Sequence, residues 1–270
     1  MNNASRVTHR WRPVWAIRLT FLLHGAALLI LLIQPAWWRE VLALLLTNHM
    51  LLSVAVLFPR SQFLGVNLTR LPLSATQRKE VALTFDDGPD PHTTPQILDL
   101  LERYQARASF FCIGEKAAAF PEIIREIIQR GHSVENHSYH HPHAFAFYGI
   151  ARLRREVQAM QKTISDIAGQ SPRFFRAPAG FRSPLLDYVL AHEGLHYASW
   201  TRRGFDGVQC NPDQVLQRLA DGLAAGDILM LHDGASTAQS PAVLVVLPAL
   251  LQQLTAAGLT SVTLPHAIYG

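Results

Sequence analysis

The chain has 270 residues, a formal net charge of +4, 16% charged residues and 49% hydrophobic ones. That length holds one catalytic domain of ordinary size plus an extra segment. Its arginines form no continuous basic run with interleaved aromatics, which argues against a nucleic-acid partner, and two cysteines, Cys112 and Cys210, neither in a CxxC, read as ordinary thiols rather than a disulfide framework.

The apolar excess is concentrated before about residue 60. Residues 14–33 are apolar apart from Arg18 and His24, and residues 41–58 are apolar apart from Asn48 and His49. Each run is close to the ~20 residues that cross a bilayer as a helix. Between them, Pro35 breaks the helix and Trp37 and Trp38 suit the membrane interface, while Trp11 and Trp15 suit the other one. Residues 1–60 therefore read as a membrane anchor, a two-helix transmembrane hairpin in contact with the lipid bilayer. A signal peptide is the weaker reading, because the apolar region is too long and no A-x-A site follows. A single span followed by an interfacial helix is the remaining rival. Arg6, Arg10 and Arg12 precede the first run, Arg39 alone marks the loop, and Arg60, Arg70, Arg78 and Lys79 follow the second. This bias predicts a multi-pass protein of a bacterial-type inner membrane, with the N-terminus and the main domain cytoplasmic.

Residues 61–78 read as a linker and 79–270 as the main domain. Strands are predicted over 81–85, 108–113, 133–136, 173–176, 196–200, 227–231 and 261–264. Helices are predicted over 93–104, with a threonine cap and an early Pro95, and over 121–130, 153–167, 184–192, 212–224 and 242–257. About seven strand–helix units argue for an α/β protein with parallel strands covered by helices, as an open sheet or a barrel.

Four polar clusters stand where strands end, which is where α/β barrels build their sites. The first, Thr84-Phe85-Asp86-Asp87-Gly88-Pro89, sets two carboxylates side by side, and a cation would relieve their repulsion. The second, His137-Ser138-Tyr139-His140-His141-Pro142, offers two imidazoles. His137 with His141 suits one metal if the segment is helical, and His137 with His140 is the competing pair. Two imidazoles and one carboxylate make a catalytic zinc set with room for water. The third, Arg176-Ala177-Pro178-Ala179-Gly180, supplies an arginine for a carboxylate and a turn whose N–H groups could meet an oxyanion. The fourth ends a buried strand in Met230-Leu231-His232-Asp233-Gly234, where His232 could protonate a leaving group. Together they form a full set for metal-assisted hydrolysis of an amide or ester.

In this order the clusters resemble the polysaccharide deacetylase family (the NodB-homology domain, carbohydrate esterase family four), over about residues 79–264. The resemblance implies a distorted (β/α) barrel of about seven strands, here preceded by the helical hairpin. It implies removal of an acetyl, or other N-acyl, group from an amino sugar in a polysaccharide, glycolipid or lipid-linked glycan. Carried over by residue, it makes Asp86 the general base on the hydrolytic water. Asp87, His137 and His141 become the ligands of a divalent metal, Zn2+ with Co2+ or Ni2+ as alternatives. It has Arg176 orienting Asp86, the Ala179 N–H holding the oxyanion, His232 protonating the amine, and Met230 lining the acetyl pocket near Trp200.

This chain departs from the family pattern in three places. Alanine replaces the usual tyrosine at 179, methionine replaces leucine at 230, and the usual Asp-x-x-Asp-Trp motif is poorly matched after Trp200, where Asp206 reads as its remnant. Arg202 and Arg203 in that stretch are candidates for an anionic substrate such as a phosphate. The competing readings are hydrolysis of a non-sugar amide or O-acyl ester by the same groups, and a membrane-bound glycan-binding protein with a retired site.

Overall fold

The computed structural model describes residues 11–207, 211–234 and 241–270. Arg6, Arg10 and Cys210 lie outside them. Every residue of β1 (Glu80–Asp86) and β2 (Ala108–Cys112) is buried. Such strands need cover on both faces, which parallel β/α structure provides. Helices α4 (Thr93–Arg103), α6 (Pro121–Gln129) and α10 (Ala242–Ala256) cover one face, turning Ile97, Leu101, Ile124, Ile127, Leu247 and Leu250 into one core with Leu83, Phe85 and Phe110. The other face, with Ala82 and Phe111, packs against Phe174, Ile228 and Met230.

The remaining strands are β3 (Ser133–Asn136), β4 (Phe174–Phe175), β5 (His196–Tyr197), β6 (Arg202–Arg203), β7 (Ile228–His232) and β8 (Thr260–Ser261). All pairings are parallel, in the order β5-β4-β3-β2-β1-β7-β6, with β8 added to the start of β1. The two edge strands, β5 and β6, are separated only by residues 198–201. A flat sheet of this order would hold its edges roughly 29 Å apart, whereas that segment reaches at most roughly 18 Å. The sheet must therefore curl into a barrel. Leu68 plugs the seam, bridging Ala198.

Residues 61–78, expected as a linker, are built into this barrel. Leu71 and Ala75, the latter on α3 (Leu73–Gln77), are buried with Phe111, Trp200 and Met230. Asn67 donates to the Pro59 carbonyl and accepts from Ser199 Oγ.

Several boundaries differ from expectation. Thr93 and Thr94 open α4 but do not cap it; Asp90 Oδ1 accepts from the His92 and Thr93 N–H groups instead. The last strand ends at Ser261, because Thr263 Oγ1 accepts from His266 N and starts α11 (Leu264–Tyr269). The two-residue β6 was missed; its half-buried arginines carry no apolar pattern.

At the N-terminus, α1 (Trp15–Ile33) and α2 (Trp38–Val56) pack as a hairpin around the turn Pro35–Trp37. The expected second span, 41–58, is shifted because Trp38, Arg39 and Glu40 are already helical. Both are long and apolar enough to cross a membrane, with mean hydropathies of 2.2 and 1.4, and a signal sequence has the same character. Their polar residues face each other: Thr20 and Asn48 share a 3.2 Å hydrogen bond, and the His24 and His49 rings lie 5.2 Å apart. Most of their leucines, among them Leu22, Leu28, Leu32 and Leu46, are exposed, while Leu52 is buried.

Candidate metal-dependent active site

β1 delivers two carboxylates that diverge. Asp86 continues the strand, while Asp87 takes a left-handed φ of 75° and turns its side chain elsewhere. Their mutual repulsion, expected to need one cation, is thus divided between two partners. Asp86 Oδ1 accepts from Arg176 Nη1 at 2.5 Å. Arg176 follows β4 and is wholly buried; it also donates to Thr84 Oγ1 and to the Ala198 and Ser199 carbonyls, and stacks 4.0 Å from the Phe111 ring. Five contacts lock one guanidinium, so the carboxylate it holds has little freedom to turn.

Asp87 faces the histidine cluster. Its Oδ1 is buried, has no hydrogen-bond partner, and lies 3.3 Å from His137 Nε2 and 3.2 Å from His141 Nε2. The three ligand atoms fall within 4.8 Å of one another. His137 Nδ1 lies 2.9 Å from the Arg176 carbonyl. A carbonyl can only accept, so Nδ1 carries the proton and Nε2 presents its lone pair, the arrangement typical of a metal ligand. Burial and the neighbouring His137 push the His141 imidazole down to about 4, which leaves it neutral near pH 7. Burial raises the Asp87 carboxyl, but the facing His137 and His141 outweigh it and hold it below the usual carboxylate range. An orphaned carboxylate oxygen between two imidazole nitrogens fits a divalent cation.

The 137–141 segment is not helical, although a helix is the condition under which spacing alone pairs His137 with His141. Ser138 and His141 instead adopt φ of 64° and 50°, and the Ser138 hydroxyl accepts from His141 N. This tight loop, not a helical face, makes His137 and His141 converge. His140 turns away and pairs with Glu156 at 2.9 Å.

The fourth group comes from the neighbouring strand, where His232 is the register partner of Asp86. Asp206 holds it twice, accepting from His232 N through Oδ2 and meeting Nδ1 through Oδ1, both at 2.8 Å. Burial lowers the His232 imidazole, while Asp206, aided by Asp86 and Asp87, outweighs that and raises it. Asp206, read as the remnant of a poorly matched motif, is thus the residue that holds His232. Ala179 sits at φ 54° in the turn Pro178–Gly180, among the first residues of a 3-10 turn, whose N–H groups lack acceptors within it. Met230 and Trp200 are buried together in one cluster.

Asp87, Ser138, His141 and Ala179 are all left-handed without being glycine. Such residues each cost about 1–3 kcal/mol and gather where function requires them.

Some participants were not foreseen. Asp233 is fully buried; burial pushes its carboxyl up to about 7, and Thr94 Oγ1 donates to it at 2.7 Å. It packs so closely under Gly88 that no Cβ fits there. Lys116, on α5 (Gly114–Ala119), donates to the Asp87 carbonyl. The Asp-Gly that follows His232 hinted at Asp233; nothing local pointed to Lys116. Of the two arginines proposed for an anion, Arg202 is consumed by Asp227 and by the Asp221 and Gly222 carbonyls. Arg203 is not.

Residues 74–198 match the family model described as polysaccharide deacetylase. A peptidoglycan-N-acetylglucosamine deacetylase of Bacillus cereus is 31% identical over 191 residues, covering 70% of this chain and 68% of that protein. The chain belongs to the polysaccharide deacetylase family. A chitooligosaccharide deacetylase of Sinorhizobium fredii is 34% identical over 168 residues, covering 62% of this chain and 78% of that one. The crystal structure of a peptidoglycan N-acetylglucosamine deacetylase superposes with a TM-score of 0.68 at 28% identity, covering 75% of this chain and 92% of that one. The curled parallel barrel is the fold of this family, and the His/Asp triad agrees with its general dependence on a metal.

Proposed function

We propose that this protein is a membrane-anchored, metal-dependent deacetylase that hydrolyses the acetyl amide of an amino sugar in a glycan. The observation that carries the reading is the adjacency of two differently held carboxylates. Asp86 is clamped by Arg176, and Asp87 is bare between His137 and His141. Similarity to deacetylases of peptidoglycan and chitooligosaccharides supports the substrate class.

Asp87, His137 and His141 would hold the cation, read as Zn2+ with Co2+ or Ni2+ as alternatives. When bound, it supplies Lewis acidity toward the acyl carbonyl and eases ionisation of a water. Asp86 takes the proton from the attacking water, with Arg176 fixing the carboxylate. The Ala179 N–H donates to the carbonyl oxygen as it becomes negative. Asp206 occupies His232 Nδ1, so the proton on Nε2 is the one given to the departing nitrogen as the C–N bond breaks. Met230 and Trp200 wall the acetyl methyl. The products are acetate and a free amine.

The test is to supply the zinc-loaded full chain, in detergent, with N-acetylglucosamine oligomers and to quantify both products. Equal acetate and amine support the reading. Acetate without amine from an O-acetylated sugar would move it to an esterase, and no acetate from any acylated sugar would refute it.

Asp206→Asn should lower kcat by about tenfold or more. Asp206 raises the His232 imidazole, so its loss should also move the basic limb of the kcat–pH profile to lower pH. A profile left in place would separate His232 from the proton delivered to the amine.

We also propose that α1 and α2 cross the inner membrane and leave the barrel on the cytoplasmic side, on the strength of the arginine and lysine bias. A reporter fused after Gly270 that is active only in the periplasm would reverse this.

A further inference from the structure

Both ends of the hairpin land on the face of the barrel that carries the site. Trp11, before α1, donates through Nε1 to Asp187 Oδ2 and packs edge-on against Tyr188, 5.1 Å away. Asp187 and Tyr188 lie in the first turn of α8 (Leu186–Glu193), which follows the β4 loop. Past the end of α2, Arg60 donates to the Thr201 carbonyl. Pro59 closes on Gly180, leaving no room there for a Cβ between Pro59 and Trp200. Gly180 neighbours Ala179, and Trp200 is the proposed wall of the acetyl pocket. The spans are thus rooted at the mouth of the site.

The same face bears exposed aromatics. Phe147 follows the histidine loop and is 87% exposed; Phe181 follows the Ala179 turn and is 37% exposed; Phe205 follows β6 and is 42% exposed. Phe58, at the exit of α2, is 61% exposed. Large apolar side chains exposed beside the loops that carry the site mark a surface that meets something apolar, and the apolar hairpin is rooted next to them.

Arg203 adds a charge at the same mouth. It lies beside Met230 in the register of β6 with β7. Its guanidinium stacks 5.2 Å from the Trp200 ring and 4.8 Å from the Phe205 ring, and its Nε is buried without a hydrogen-bond partner. Among the described residues no carboxylate forms an ion pair with it. Asp86, Asp206 and Asp87 act on it only at longer range. A half-buried guanidinium near two rings, with a buried Nε that has no partner, is suited to a planar or tetrahedral oxyanion.

We infer that the sugar reaches this site from the bilayer surface as a lipid-linked phosphate, its lipid left in the membrane beside Phe58, Phe181 and Phe205 and its phosphate received by Arg203. This deepens the deacetylase reading and rests on it and on the membrane assignment of α1 and α2. The phosphate could equally belong to a soluble sugar phosphate, so the experiment must separate lipid from charge.

Four probes do this with the zinc-loaded full chain in nanodiscs. They are N-acetylglucosamine, its 1-phosphate, its dodecyl glycoside and its polyprenyl phosphate conjugate. Acetate release gives kcat/KM for each, and quenching of tryptophan fluorescence gives binding. The polyprenyl phosphate conjugate should exceed the dodecyl glycoside by about tenfold or more. It should exceed the soluble 1-phosphate by a similar factor. Arg203→Gln should erase most of the preference for phosphate, and Arg203→Lys should return part of it.

Equal kcat/KM for the conjugate and the free sugar would overturn the inference while leaving the deacetylase reading intact. Equal values for the conjugate and the soluble 1-phosphate would overturn the role of the bilayer. A phosphate preference indifferent to Arg203→Gln would overturn the role of Arg203. Arg203-dependent binding of the conjugate with no acetate from any probe would support this substrate class and refute deacetylation instead.

Discussion

Asp86→Asn should lower kcat/KM for acetate release by about 10³- to 10⁴-fold, the upper range for loss of a general base. The amide cannot take a proton from water. Its oxygen can still accept from Arg176 Nη1, so the side chain should remain in place. The metal group is formed by Asp87, His137 and His141 without Asp86. Metal content measured on the same preparation should therefore match wild type. Turnover within tenfold of wild type in a folded, metal-replete sample would remove Asp86 as the base.

Arg176→Ala should be the most damaging single substitution for stability. The side chain is fully buried, and its loss strands the Asp86 carboxylate, Thr84 Oγ1 and two carbonyls at once. Breaking a buried ion pair from one side costs about 3–5 kcal/mol, a large share of the 5–15 kcal/mol that typically holds a domain. Urea unfolding should register this as a lower midpoint at unchanged slope. Activity should fall as well, because Asp86 loses the group that aims it. Arg176→Lys should recover part of the stability and little of the activity, since an ammonium cannot fork to the carboxylate and the carbonyls together. A midpoint within experimental error of wild type for Arg176→Ala would show that the buried network is not integral to the fold.

Much of this architecture was legible because β1 and β7 are short apolar runs that each end in chemistry. Asp86, Asp87 and His232 follow directly from the strands that carry them. Between His140 and His141 as the partner of His137 the residues alone did not choose; the family resemblance did, and the cause stayed hidden, since left-handed Ser138 and His141 leave no periodic trace. Closure of the barrel was hidden for a related reason. It depends on residues 198–201, on a two-residue β6 and on Leu68, none of which has a pattern of its own. Asp206 looked like a remnant because its meaning lies in two contacts with His232, 26 residues further on. Arg202 and Arg203 are adjacent and identical in type, yet alternation along β6 sends one to Asp227 and leaves the other beside Trp200 with its Nε unpartnered. Sequence names such residues; only the register assigns them.

The central claim is that one divalent cation held by Asp87, His137 and His141 is required for deacetylation. The most direct test removes metal from the full chain with a chelator, returns zinc in steps, and follows bound metal and acetate release together. Activity should be lost on chelation and should rise in proportion to metal bound, up to one ion per chain. His141→Ala should show neither binding nor recovery. Undiminished acetate release from the metal-free chain would contradict the account.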